Sequence, residues 1–257
     1  MIKYCSISEK PGTFGENFHN EGYKHLGLDA IYIALKVGQG KLDKFIGFAK
    51  DNFSGISVSK PHKVEIIKHL DHLDDLAESI GSVNTVKLDD GQLVGYNTDY
   101  YGALNAIQNR LGNLSGRRVV MLGAGGAARA VAHAVKDLEG YLTIINRNEQ
   151  KAKDLAEKLS CTIGDYSRLA RYKGDLFINA TSIGMGDIFS PLSTNEVKNY
   201  EAIMDIVVGD TLLIKQALDA NKKVISGKLM TLHQATKQFQ IYTGHQLSED
   251  FISGFLN

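Results

Sequence analysis

Two groups of residues in this 257-residue chain have types and spacings suited to chemistry. The first is the run Gly123-Ala124-Gly125-Gly126-Ala127-Ala128, in which Gly123-x-Gly125-x-x-Ala128 matches the fingerprint that holds a dinucleotide pyrophosphate. Gly123 allows a tight turn, Gly125 lets the backbone approach a phosphate, and Ala128 lets a helix lie close to a strand. The helix opening there offers unpaired N–H groups and the positive end of its dipole to the phosphates. The same run also reads as an ordinary tight strand-to-helix turn. The second group is a set of polar residues at the ends of apolar stretches: Ser57 and Ser59 around Val58, then Lys60-Pro61-His62-Lys63, Asn84-Thr85 and Asn97-Thr98-Asp99. A lysine and an aspartate beyond the carboxyl ends of strands are placed to handle a proton, and Lys63 and Asp99 are the candidates. The plainer reading has Lys63 starting a helix and Asp99 capping the next one.

The elements that must position these residues alternate between strand and helix. In the first hundred residues, Ala30–Leu35 and Ser54–Ser59 read as strands and Lys41–Asp51 as a helix. Lys63–Ile80 has helical spacing of Val64, Ile66-Ile67, Leu70, Leu73 and Leu76. Val83–Leu88 and Gln92–Tyr96 read as a hairpin around Asp89-Asp90-Gly91. A helix is expected over Tyr101–Leu111. From Arg117 onward strands at Arg118–Leu122, Leu142–Ile145, Leu176–Ile178, Ala202–Val208 and Lys223–Ile225 alternate with helices at Glu149–Leu159, Thr211–Asn221 and Leu229–Gly244. Strands separated by helices predict mostly parallel sheets. The fold class expected is α/β with two lobes: an N-terminal α/β substrate-binding domain over residues 1–102 and a Rossmann-type dinucleotide-binding domain over 103–228. A C-terminal helical segment, 229–257, is expected to return to the first lobe, with substrate and cofactor meeting between the lobes.

Bulk composition narrows the partners. The chain is 43% hydrophobic and 23% charged, and 29 Lys+Arg balance 29 Asp+Glu. A net charge of zero argues against nucleic acid or an anionic membrane as partner. No apolar run approaches the roughly 20 residues of a membrane span, and the start lacks the apolar stretch of a signal peptide. The only cysteines, Cys5 and Cys161, suggest no disulfide framework and no zinc site. A cytoplasmic protein without a metal is expected, as monomer or homodimer. At the second strand of the fingerprint unit, Asn146-Arg147-Asn148 stands where an NAD-selective fold places Asp or Glu, with Lys151 close behind. Arg147 can stack on adenine and pair with a 2′-phosphate, which favours NADP; a surface arginine at a helix start is the alternative.

Taken in order, Val58-Ser59-Lys60-Pro61-His62-Lys63, Ser82-Val83-Asn84-Thr85, Asn97-Thr98-Asp99, Gly123-Ala124-Gly125-Gly126-Ala127, Asn146-Arg147-Asn148, Asn179-Ala180-Thr181-Ser182-Ile183-Gly184-Met185 and Gln234-Ala235 resemble the shikimate dehydrogenase family nearly end to end. The resemblance implies reversible hydride transfer between NADP(H) and the 3-dehydroshikimate/shikimate pair, on the route to chorismate and the aromatic amino acids. It implies that Lys63 and Asp99 are the catalytic pair and that Ser59, Asn84 and Gln234 bind substrate hydroxyls. It places the cofactor on Gly123, Gly125, Gly126, Ala127, Asn146, Arg147, Asn148 and Thr181, with the nicotinamide beside Gly184-Met185 and near Met230.

Three departures bear on the substrate. The family's Ser-x-Ser-Pro segment before His-Asn, which holds the substrate carboxylate, falls on Thr13 and Gly15 when aligned on His19-Asn20, so one hydroxyl is lost. This run looks more like the divergent shikimate dehydrogenase-like subgroup. The usual Asn-Val-Thr has become Ser57-Val58-Ser59, and Tyr-x-Pro after the Asp205 strand has become Val208-Gly209-Asp210. Thr13, Ser57 and Ser59 are then expected to share the carboxylate. A paralogous dehydrogenase for quinate or a related cyclohexane acid is the first alternative. A nucleotide-binding sensor or scaffold without turnover is the second, and the retained Lys63, Asp99, Asn84 and Gln234 argue against it.

Overall fold

The mixed run Ile2–Ser8 and the apolar run Ala30–Leu35, closed by Lys36, pair in parallel along their whole length, which starts the first sheet. The computed structural model describes residues 1–186 and 188–255 of the chain. The chain divides into two units, Met1–Thr98 with Gln234–Asn257, and Asp99–His233. The bounds expected from sequence, 102/103 and 228/229, lie a few residues from these.

The first unit runs β1 (Ile2–Ser8), α1 (Phe14–Leu26), β2 (Ala30–Lys36), α2 (Leu42–Asn52), β3 (Gly55–Val58), a 3₁₀ turn (Glu65–His69), β4 (His72–Leu73), α3 (Asp75–Ile80), β5 (Thr85–Asp89) and β6 (Gln92–Tyr96). Its sheet has the order β2-β1-β3-β5-β6-β4. β1 is parallel to β2 and β3, but β5 is antiparallel to both β3 and β6. With β4 parallel to β6, three of the five pairings are parallel and two antiparallel, so the sheet is mixed. The Asp90-Gly91 turn, with φ of 46° and 79°, reverses the chain within two residues and leaves no crossover helix. The core beneath holds Cys5, Ile7, Leu42, Ile56, Ile66, Val83 and Val86.

The single helix expected from Lys63 to Ile80 is corrected to a 3₁₀ turn, a two-residue strand and a short helix. The apolar spacing serves a sheet edge instead. Asp71 N donates to Leu93 O (2.9 Å), the Asp71 carboxylate accepts from Leu93 N (2.7 Å), and Asp74 N donates to Gly95 O (3.0 Å). A Cβ on Gly95 would stand 2.5 Å from Leu70 Cδ1 and 2.9 Å from Leu73 Cδ2, so the bare strand there receives the two leucines. Asp74 then caps α3 through Ala77 N (2.8 Å).

The second unit begins in α4 (Thr98–Leu111) and continues β7 (Arg118–Leu122), α5 (Gly126–Asp137), β8 (Tyr141–Ile145), α6 (Glu149–Leu159), β9 (Thr162–Gly164), a 3₁₀ segment (Tyr166–Arg171), β10 (Leu176–Asn179), α7 (Thr194–Val197), β11 (Ala202–Asp205), α8 (Leu212–Asp219) and β12 (Lys223–Ser226). All its strand pairings are parallel. The order β12-β11-β10-β7-β8-β9 is the 3-2-1-4-5-6 order of a dinucleotide-binding fold. Val119 and Met121 of β7 belong to one core layer, Val120 and Leu122 to the other, as expected of a sheet covered on both faces. α9 (Gly227–Thr243) carries the chain from the second unit into the first, and α10 (Glu249–Gly254) follows there. The helix expected over Tyr101–Leu111 begins already at Thr98, and the strand expected to reach Val208 ends at Asp205, whose carboxylate accepts from Val207 N (3.1 Å).

Candidate functional site

In the second unit the fingerprint forms the predicted strand–turn–helix. Gly123, with φ of 122°, donates from its N–H to Ile145 O (2.8 Å), and a Cβ there would stand 2.5 Å from Ala180 O. Only glycine fits that turn. Gly125 is the N-cap of α5; no side chain caps the helix, and no atom lies within 4 Å of where its Cβ would stand. Gly126 and Ala127 form the first turn, and Ala128 is fully buried against the sheet. An uncapped twelve-residue helix whose first residues have open space before them fits a pyrophosphate.

Beyond β8, Asn146 Nδ2 donates to Asn148 O (2.8 Å), and Asn148 caps α6 by accepting from Lys151 N (3.1 Å). These bonds fix the turn and leave the exposed Arg147 side chain at its tip. No carboxylate stands at Asn146 or Arg147, and the nearest, Glu149, is already in α6. Beyond β10, Thr181 Oγ1 donates to Asn179 Oδ1 (2.6 Å) and accepts from Ile183 N (3.1 Å). Asn179 Nδ2 donates to Ile183 O (3.0 Å) and to Asp205 Oδ1 (2.9 Å), and Thr211 Oγ1 donates to Asp205 Oδ2 (2.7 Å). Burial pushes the Asp205 carboxyl up, against three hydrogen bonds that favour its charged form. This buried cluster holds the loop that presents Gly184 (φ 92°) and the exposed Met185. Met230, on the first turns of α9, is 5% exposed and belongs to the core of this unit. Asp205 and Thr211 were not singled out by sequence; their signal was only a buried-strand aspartate and a threonine before a helix.

The first unit gathers the hydroxyl-binding candidates around Asn84. Asn84 Nδ2 donates to Thr98 Oγ1 (2.9 Å) and Gln234 Oε1 (3.2 Å), while its Oδ1 accepts from Thr98 N (2.7 Å) and Thr85 Oγ1 (2.9 Å). Thr98 is therefore the residue that fixes the start of α4, and Asp99, 6% exposed, follows it in the first turn. Lys63, half-buried, lies in the turn after β3 and is anchored by its own carbonyl, which accepts from Val83 N (2.8 Å). His62 beside it is buried and bonded through Nε2 to Val37 O (2.7 Å). Gln238 Oε1 accepts from Ser57 Oγ (2.7 Å) and meets His19 Nε2 (3.1 Å), and its Nε2 donates to Thr85 Oγ1 (2.7 Å).

The carboxylate candidates are placed differently from one another. Ser57 Oγ already meets Tyr32 Oη (2.6 Å), Tyr242 Oη (3.0 Å) and Gln238, which uses its one proton and both lone pairs. Ser59 is exposed just past β3, and Thr13 is exposed at the N-cap of α1 without capping it through its side chain. Gln238, Tyr32 and Tyr242 were missed from sequence, because single polar residues in strands and helices carry no pattern of their own; Thr85 and Thr98 were legible only as neighbours of Asn84 and Asp99.

Two family models match the chain: the shikimate dehydrogenase substrate-binding domain over residues 14–86 and shikimate/quinate 5-dehydrogenase over residues 105–208. The chain belongs to the shikimate dehydrogenase family. Shikimate dehydrogenase (NADP(+)) of Methanocaldococcus jannaschii is 36% identical over 247 residues, 90% of this chain and 87% of that one. The enzyme of the same name from Nitrosopumilus maritimus is 38% identical over 244 residues, 90% and 89% of the two chains. Among solved structures, shikimate 5-dehydrogenase of Thermus thermophilus, in complex with NADP(H) and shikimate, aligns with a TM-score of 0.89 and 28% identity over 99% of this chain and 98% of that one. The two-unit α/β fold is thus that of the family. Among the described residues, no cluster of His, Cys, Asp or Glu could hold a metal, and no helix is long and apolar enough to cross a membrane.

Proposed function

We propose that this family member is an NADP-dependent oxidoreductase that interconverts 3-dehydroshikimate and shikimate. The observation that carries the reading is the Asn84–Thr98–Gln234 cluster, which gathers two side-chain amides and a hydroxyl at the start of the helix bearing Asp99. Such a cluster suits the vicinal hydroxyls of a polyhydroxylated ring.

The nicotinamide cofactor supplies the hydride donor and acceptor. In our reading Gly123, Gly125, Gly126 and Ala127 take its pyrophosphate on the α5 N-terminus. Arg147, between Asn146 and Asn148, pairs with the 2′-phosphate. Thr181, Gly184 and Met185 line the nicotinamide side, backed by Met230. Lys63 Nζ hydrogen-bonds the substrate oxygen at the reacting carbon and delivers the proton as negative charge grows there. Asp99 keeps Lys63 oriented. Ser59, Asn84 and Gln234 orient the ring hydroxyls. Thr13 and Ser59 are the hydroxyls available to the carboxylate, while the Ser57 hydroxyl is taken up by Tyr32, Tyr242 and Gln238.

A spectrophotometric screen of NADP and NAD reduction against shikimate, quinate and related cyclohexane acids tests this. Turnover of shikimate with NADP is expected. Preference for quinate would replace the substrate and keep the reaction. No reduction of either cofactor with any acid would overturn the reading.

A further inference from the structure

The cluster around Asn84 has a direction, set by two main-chain groups whose roles cannot reverse. Thr98 N–H can only donate, and it faces Asn84 Oδ1 at 2.7 Å. The Asn84 carbonyl can only accept, and Gln238 Nε2 faces it at 3.4 Å. The second contact fixes the Gln238 amide: its nitrogen lies toward Asn84 and Thr85, its oxygen toward Ser57 and His19. His19 must then donate from Nε2. Its Nδ1 is buried without a partner, which a bare lone pair tolerates better than an N–H. Thr85 Oγ1, whose lone pair takes the Gln238 proton at 2.7 Å, gives its own proton to Asn84 Oδ1 at 2.9 Å in preference to Thr98 Oγ1 at 3.3 Å. Asn84 Nδ2 therefore donates to Gln234 Oε1 at 3.2 Å, and the Thr98 hydroxyl has both Gln234 Oε1 and Asn84 Oδ1 at 3.2 Å to receive its one proton. With its oxygen facing Asn84 Nδ2, Gln234 has its two Nε2 protons left to offer.

We propose that Gln238, 3% exposed and outside the substrate-binding set, is a positioning residue for substrate binding. Its amide orients Thr85, whose proton reinforces the Asn84 orientation that Thr98 N–H sets, so that Asn84 holds Gln234 Oε1 and Gln234 meets hydroxyl oxygens with its N–H donors. This rests on the shikimate dehydrogenase reading above. Gln238 does not touch substrate; it acts through the residues that do.

Two variants test the role. Gln238→Met keeps the length and removes the polarity; it should raise the shikimate KM roughly 5- to 30-fold, with kcat and the NADP KM within about threefold of the parent. In Gln238→Glu, a protonated carboxyl can still donate to Thr85 Oγ1, whereas the ionised form can only accept and draws the Thr85 proton away from Asn84. Burial raises a carboxyl pKa into the neutral range. The groups facing it are His19 from α1, Thr85 from β5, and Ser57 from β3, the last held by Tyr32 and Tyr242. The ratio of variant to parent KM should therefore climb about fivefold or more from pH 6 to pH 9. A purely structural glutamine would lower the melting temperature of both variants and leave that ratio flat; a flat ratio with KM near the parent value overturns the proposal. The side-chain NH2 resonances of Asn84 and Gln234 in ¹⁵N-labelled protein give a reading that needs no substrate. They should shift in Gln238→Glu between low and high pH, and unshifted resonances overturn the positioning role. If the parent ignores shikimate while those resonances shift, the substrate reading fails and the positioning role stands.

Discussion

Asn84 and Gln234 stand 150 residues apart in the chain, yet Asn84 Nδ2 donates to Gln234 Oε1 at 3.2 Å. Thr98 bonds to both, so the end of the β5–β6 hairpin, the start of α4 and the returning α9 are tied at one point. The consequence is chemical as well as structural. The residue after Thr98 is Asp99, so the cluster that would bind hydroxyls also fixes where the proposed catalytic carboxylate begins its helix.

Replacing Lys63 with Ala should lower kcat far more than it raises KM, since the Lys63 bond to the reacting oxygen strengthens as charge develops there. General acid–base contributions are worth about 10²–10⁴-fold, and steady-state shikimate oxidation should show a loss in that range. Asp99→Asn should lose a similar factor, and the double variant little more than either single one, because the two act as a unit. A kcat loss under about tenfold for Lys63→Ala would remove lysine from the chemistry.

The second unit was readable because each of its parts carries its own local signal. Val119, Val120, Met121 and Leu122 are an uninterrupted apolar strand, the glycines mark the turn, and the alanines after it pack close. The first unit was readable where the turn chemistry was local, as at Asp90-Gly91, and unreadable where tertiary pairing decided. The stretch from Lys63 to Ile80 keeps a helical period, but Asp71 and Asp74 bond to β6 and pull it into an edge strand. α1 was not predicted, because Phe18 and Tyr23 are its only large buried apolar residues and polar His19 is buried with them. The Gln238 network is invisible for a related reason. Its partners come from α1, β3 and β5, and only the folded chain brings them within hydrogen-bonding reach.

Arg147→Asp should move cofactor preference from NADP towards NAD. The exposed side chain sits on a turn held by Asn146 and Asn148, so the substitution should leave the fold intact. An aspartate there repels a 2′-phosphate and can accept from a ribose 2′-hydroxyl. One charge-assisted bond is worth about 1.5–3 kcal/mol, so the NADP KM should rise roughly 10- to 150-fold. An unchanged NADP KM would mean that Arg147 does not touch the phosphate.

Gly15→Ser should lower the shikimate KM by about tenfold or more, by restoring a hydroxyl where the family carries one. The backbone permits it: Gly15 lies in the first turn of α1 and is not among the left-handed glycines. A Cβ there would stand 3.3 Å from Tyr32 Oη, a tight but adjustable approach that sets the new hydroxyl near the Tyr32–Ser57 pair. A folded variant with unchanged KM would show that the carboxylate is held elsewhere, and would favour a different acid as substrate.

His19 should make the protein sensitive to mild acid. Its ring is fully buried among Tyr23, Tyr32, Phe239 and Tyr242, and burial lowers its pKa to about 3, opposed only by the bond to Gln238. The unfolded chain takes up a proton near pH 6.5 that the folded chain refuses, so stability is lost as pH falls from about 6.5 towards 3, by roughly 1.4 kcal/mol per pH unit. Between pH 6.5 and pH 5 that amounts to about 2 kcal/mol. His19→Gln keeps an amide N–H for the Gln238 oxygen and removes the titration. Asp74 and Asp205, whose carboxyls burial pushes up, contribute with the opposite sign but equally in both proteins. Urea unfolding at pH 7.5 and pH 5 should therefore show the parent losing about 2 kcal/mol more than His19→Gln on acidification. Equal losses in the two proteins would mean that His19 takes up its proton in the folded state, and that the donor at the head of the Gln238 network is a charged ring.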